Sequence, residues 1–156
     1  MRWLLTAVAA AMIGCAPAPQ VAPPETAASP PKPAADEAAK PWYAQSAGEL
    51  AAMNGRIRAL IDAGRFQDAS AAVSATQPLA DKLLSVPRPT LEAMKAASDH
   101  DDLYGRLLLH DGRVGWARMT FQKNLVRWRN WKPRTAETEA RARAAADAVA
   151  ECDRRL

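Results

Sequence analysis

Leu109-His110-Asp111-Gly112-Arg113-Val114-Gly115-Trp116-Ala117-Arg118-Met119-Thr120-Phe121 decides the fold when it is set beside Ile61-Asp62-Ala63-Gly64-Arg65-Phe66-Gln67-Asp68-Ala69-Ser70-Ala71-Ala72-Val73. Both windows read apolar, two polar or small, Gly-Arg, apolar, two variable, Ala, three variable, bulky apolar. A glycine permits the tight reversal between two helices. The apolar residue two positions later covers the turn. The small Ala lets the second helix approach the first, and the bulky residue four further on fills the groove between them.

Outward from these turns the apolar spacing is helical throughout. Ser46 with Glu49 reads as a capping box for a first helix, carrying Leu50, Met53, Ile57, Leu60 and Ile61 and stopped by Gly64. A second starts at Phe66, with Ala69, Ala72 and Val73 inward. Pro78 is expected to break or kink it before Leu79, Leu83 and Leu84 resume the apolar face. Thr90 caps a third, whose buried face is Leu91, Met94, Leu103, Leu107 and Leu108. The fourth runs from Val114 to Trp131 and is closed by Pro133. Thr135 caps a fifth, with Glu137 and Glu139 in its first turn, where negative charge suits the helix dipole. Ala142, Ala145, Val149, Cys152 and Leu156 form its narrow apolar stripe. The expectation is an all-α, five-helix hairpin array: two helical hairpins plus a C-terminal capping helix.

The two windows resemble the tetratricopeptide helical hairpin, which places a turn Gly, an aromatic two later, then Ala, then a bulky residue. Gly64, Phe66, Ala69 and Val73 match, as do Gly112, Ala117 and Phe121, with Tyr104, Gly105 and Leu108 in the preceding helix. The copies lie 48 residues apart (112 − 64), against about 34 in that family. Tetratricopeptide-like repeats and two ordinary hairpins that share a Gly-Arg turn are both consistent with the pattern. The resemblance implies a protein-binding scaffold.

The start of the chain has a different character. Met1-Arg2 is basic, Trp3–Ile13 is uncharged and apolar, and Met12-Ile13-Gly14-Cys15 follows. Residues 1–14 have the regions of a secretory signal peptide and are too short to span a bilayer. The ending resembles a bacterial lipobox. That resemblance implies cleavage after Gly14 and a palmitate-type lipid on Cys15, and so a membrane partner through the anchor. Several acyl chains give stable anchoring. Ala16, not Asp, follows the cysteine, which by the same resemblance favours the outer membrane, facing the periplasm. Residues 15–41 are rich in Pro and Ala without apolar periodicity, a composition that does not fold alone. Extended at about 3.1 Å per residue, they reach on the order of 80 Å. The α-helical domain is then expected over 42–156.

With 156 residues and a net charge of +4, the chain is one modest domain without the dense basic face of a nucleic-acid binder. Cys15 and Cys152 sit at opposite ends, so no disulfide or metal pair is expected within the domain. Cys152 reads as a buried inert thiol. Ser98-Asp99-His100-Asp101-Asp102 and His110-Asp111 hold both histidines. Neighbours on a helix point about 100° apart, and His100 lies ten residues from His110, so these stretches read as a solvated acidic patch facing the fourth helix. No nucleophile elbow, phosphate loop or paired carboxylates point to catalysis, and no cofactor is implied.

The functional candidate is Arg113–Arg134, which has no Asp or Glu and holds three of the five Trp. It carries apolar residues on more than one face and is expected to be the central helix. Trp116, Phe121, Leu125 and Trp128 read as core. Arg127, Arg129, Trp131, Lys132 and Arg134 read as an exposed partner-binding set, since Arg and Trp are enriched at interfaces. The leading expectation is a lipid-anchored, non-catalytic adaptor holding an envelope protein. The alternative is a binder of anionic cell-wall polymer or lipid headgroups through residues 113–134.

Overall fold

A computed structural model of the chain describes residues 37–156, and the signal-like stretch, Cys15 and most of the Pro/Ala segment lie outside them. A 3₁₀ turn, Glu37–Ala39, leads into five helices: α1 (Pro41–Asp62), α2 (Phe66–Leu84), α3 (Leu91–His110), α4 (Val114–Asn130) and α5 (Ala136–Asp153). The described residues contain no strand. None of their helices is long and apolar enough to cross a membrane.

The two Gly-Arg turns are built alike. Gly64 and Gly112 have φ of 72° and 73°. Arg65 and Arg113 follow at φ/ψ of −86°/59° and −85°/56°. The amide of Arg65 donates to the Leu60 carbonyl and that of Arg113 to the Leu108 carbonyl, both at 2.8 Å. Gly64 and Gly112 donate to Ile61 and Leu109 at 2.9 and 3.2 Å. This is the double closure of a Schellman motif, and its left-handed residue favours glycine. Phe66 and His110 stack with ring centroids 3.7 Å apart, so the start of α2 meets the end of α3. Ala69 and Ala117 are fully buried, as close helix crossings require.

Three core clusters run through the array. Tyr43, Leu50, Leu83 and Ala93 join α1, α2 and α3. Ile57, Val73, Leu103 and Leu107 join the same helices nearer the turns. Leu108, Phe121, Leu125, Val149 and Cys152 join α3, α4 and α5. The central helix is therefore α3, which packs on α1, α2 and α4, whereas α4 packs on α3 and α5 alone. The expectation that α4 is central is corrected.

Two boundaries also differ. α1 begins at Pro41 with Lys40 as its N-cap, not at Ser46. Proline suits the first helical position, where its missing N–H costs nothing. The earlier start also seats buried Tyr43, whose hydroxyl donates to the Leu83 carbonyl at 2.9 Å. α2 runs unbroken through Pro78. The proline is exposed, so solvent can take up the Ser74 carbonyl it leaves, and Ala80 and Leu83 hold the apolar face in register beyond it. Thr90 and Thr135 cap α3 and α5 as expected, the latter in a reciprocal box with Thr138. Of the α5 stripe, Ala145, Val149 and Cys152 are buried, while Leu156 is exposed.

Candidate functional site

The residues facing inward on α4 are Ala117, Phe121, Asn124, Leu125 and Trp128. That arc leaves Trp116, Met119 and Val126 on the outside, 59%, 63% and 47% exposed. Trp116 is thus not core, because it falls one position before the inward-facing series begins. Only four large apolar side chains are exposed among the described residues, and three of them stand on this helix. The Arg113 guanidinium lies 5.9 Å from the Trp116 ring centroid. α4 carries no carboxylate of its own, but Arg118 is paired with Asp153 of α5 at 2.5 Å and Lys123 and Arg127 with Asp101 of α3, while Arg129 makes no ion pair among the described residues.

The five expected partner-binding residues separate into two groups. Arg127 is not free: its side chain is 18% exposed and ion-paired with Asp101, whose side chain is 4% exposed. Lys123 reaches the same carboxylate at 3.0 Å. Arg129, Lys132 and Arg134 are exposed, and Trp131 is half-buried with its ring 6.1 Å from that of Trp128. Arg129 and Arg134 line a depression of about 360 Å³ between α4 and α5, together with Arg143 and Glu139. Arg134 also donates to the Arg129 carbonyl at 3.1 Å and stands 4.0 Å from Glu139. Three guanidiniums against one carboxylate make this depression suited to an anion.

The Ser98–Asp102 stretch is not a solvated patch. His100 is fully buried, with Nε2 3.1 Å from the Val73 carbonyl and 2.9 Å from Thr76 Oγ1. Burial pushes its pKa below the usual imidazole range, against the opposing pull of the Val73 carbonyl and Asp101. Asp101 binds α4 as described, so the expectation that this stretch faces the basic helix holds for that residue. Asp99 takes a 2.7 Å bond from Arg141 of α5. Asn54 of α1 and Asn124 of α4 each donate at 2.8 Å to α3 carbonyls, those of Ala96 and Ser98. Side chains and carbonyls of one helix turn or so thus fasten α3 to all four other helices. The Asp101 group is a buried ion pair whose loss of one partner would strand the other.

Cys152 is fully buried, and desolvation raises its thiol pKa, which keeps it protonated and unreactive. Among the described residues no three His, Cys, Asp or Glu side chains come together as metal ligands. Met119, Val126 and Arg143 were not picked out from the sequence. Their signal is helical phase: Met119 and Val126 are seven apart on one face, and Arg143 lies one turn after Glu139. Compared with known protein families, curated proteins and solved structures, the chain matches none.

Proposed function

We propose that this chain is a lipid-anchored cell-envelope protein whose helical domain is a non-catalytic interaction module of the tetratricopeptide type. Its docking surface is the outer side of α4 with the adjoining α4–α5 depression, and its partner is a protein with an acidic, partly apolar surface. The observation that carries this reading is the exposed Trp116, Met119 and Val126 on a helix that bears cations and no acid. Trp, Met and Arg are the side chains that protein interfaces enrich, and apolar side chains in a polar, charged rim are their usual anatomy. A cell-wall polymer would use the cations of the depression but leaves Met119 and Val126 without an apolar counterpart. The anchor rests on the Gly14-Cys15 junction, which supports attachment at Cys15 and a position on the outer membrane, facing the periplasm.

The test is affinity capture of the full-length tagged chain from detergent-solubilised envelopes. One stoichiometric partner is expected, lost with Met119→Asp and with Arg129→Glu paired with Arg143→Glu. Retention of the same partner by both variants would refute the α4 surface. Binding that requires purified cell wall or anionic vesicles and vanishes at moderate salt would favour the polymer or lipid ligand instead. Separately, Cys15→Ser should leave unprocessed or soluble protein, and unchanged mass and membrane fractionation would rule out the anchor.

A further inference from the structure

A second cavity, of about 190 Å³, opens where α1, α3, α4 and α5 meet. Its walls are unlike those of the α4–α5 depression, because most of the charge is already spent inside the protein. Asp99 is paired with Arg141 and Asp102 with Arg106, each at 2.7 Å. Asn124 donates to the Ser98 carbonyl and accepts from Arg127. Phe121 and Trp128 lie beneath its floor as core residues, 1% and 3% exposed, and the Arg141 guanidinium lies 5.3 Å from the Trp128 ring centroid.

Three lining groups remain unspent, and all three can donate. The Ser98 hydroxyl belongs to a residue only 3% exposed and has no hydrogen-bond partner. The Arg141 Nε–H is likewise buried without a hydrogen bond, with the Glu137 carboxylate 3.7 Å away. The Arg58 guanidinium makes no hydrogen bond or ion pair among the described residues. A buried donor without an acceptor is costly, and a guanidinium fork matches the two oxygens of a carboxylate. With Arg58, Arg106 and Arg141 against Asp99 and Asp102, the lining charge is 3 − 2 = +1, which one monovalent anion neutralises. We propose that this cavity binds a small carboxylate, its oxygens on Arg58, Ser98 and Arg141. The ligand is either a free organic acid or the carboxyl end of a short peptide, and both present the same group.

The proposal is independent of the α4 docking surface and is tested without the partner. Full-length chain in detergent, in a buffer free of carboxylates, is titrated calorimetrically with benzoate and with a tetrapeptide ending in phenylalanine. Benzamide, the amidated peptide and sulfate are the controls. Saturable binding of benzoate or of the free-carboxyl peptide is expected, and the tighter of the two identifies the source of the carboxylate. Arg58→Gln should weaken it roughly tenfold to a hundredfold, the usual range for a hydrogen bond to a charged group. Ser98→Ala should weaken it several-fold. Neither residue has a partner to lose, so both variants should melt as the unaltered chain does, and loss of binding then reports the site. Three results would each overturn the proposal: no saturation by either probe, equal affinity for benzamide or sulfate, or unchanged binding in both variants.

Discussion

The hairpin of α1 with α2 and that of α3 with α4 make the same reversal and fill the groove beyond it from opposite sides. Seven residues before the turn glycine stands Ile57 in one and Gly105 in the other. Nine residues after it stands Val73 in one and Phe121 in the other. In the first hairpin a branched side chain on each helix shares the core cluster. In the second, one ring does the filling: a Cβ on Gly105 would lie 2.5 Å from Phe121 Cε1. What the two copies share is a turn, a close crossing at Ala69 or Ala117, and a filled groove, not the identity of the residue that fills it. Interiors are close-packed, so volume missing from one wall must be supplied by the other.

They differ again half-way along. Ala52, Met53 and Asn54 of α1 correspond in register to His100, Asp101 and Asp102 of α3. α1 is an outer helix, and there only Asn54 reaches a neighbour through a polar side chain, the Ala96 carbonyl. α3 is flanked by three helices, and the equivalent turn is almost wholly polar and partnered. Directional polar contacts fix how helices rotate and slide against each other, which apolar contacts alone specify weakly.

The largest expected effect comes from emptying the grooves. Phe121→Ala should cost about 3–5 kcal/mol and Ile57→Ala about 2–5 kcal/mol in denaturant unfolding of the full-length chain. A loss well under 1 kcal/mol at either site would break the equivalence of the two grooves. Next comes the close crossing. Ala69→Leu and Ala117→Leu should each cost about 1–3 kcal/mol, because both push extra methylenes into a packed contact. Comparable shifts in melting temperature would sharpen the repeat, while a loss at one site alone would leave only the turns in common.

The smallest effect is the titration of His100, which has no counterpart in α1. Its pKa is lowered in the folded protein, so the unfolded chain takes up that proton first as pH falls. The contribution of the neutral, buried ring is therefore complete above the unfolded value of about 6.5 and declines as pH drops below it. Melting temperature should fall more steeply below that pH for the unaltered chain than for His100→Gln. Parallel curves for the two proteins would contradict the assignment.

Much of the fold is legible in sequence because turns and caps are local. Gly64-Arg65 and Gly112-Arg113 announce their reversals, and Thr90 and Thr135 announce their helices. The errors concern what a helix faces. Trp116 reads as core from its size and apolar character, yet the phase of Ala117, Phe121, Leu125 and Trp128 turns it outward. Arg127 reads as surface because its acid lies 26 residues away and is buried. His100 and Asp101 read as solvated because their partners come from α2 and α4. Of the candidate site, Arg129 and Arg134 were legible from the acid-free run. Arg143 was not, since only the packing of α5 on α4 brings it to them.

The central claim is that the outer face of α4 is a protein-docking surface. A photo-activated cross-linker placed at Met119 in the full-length chain, irradiated in intact cells of its source organism, tests it most directly. One protein adduct is expected there and none from the same group at Ala52, which is exposed on α1. The absence of a protein adduct at Met119, adducts with lipid alone, or the same adduct from Ala52 would contradict it.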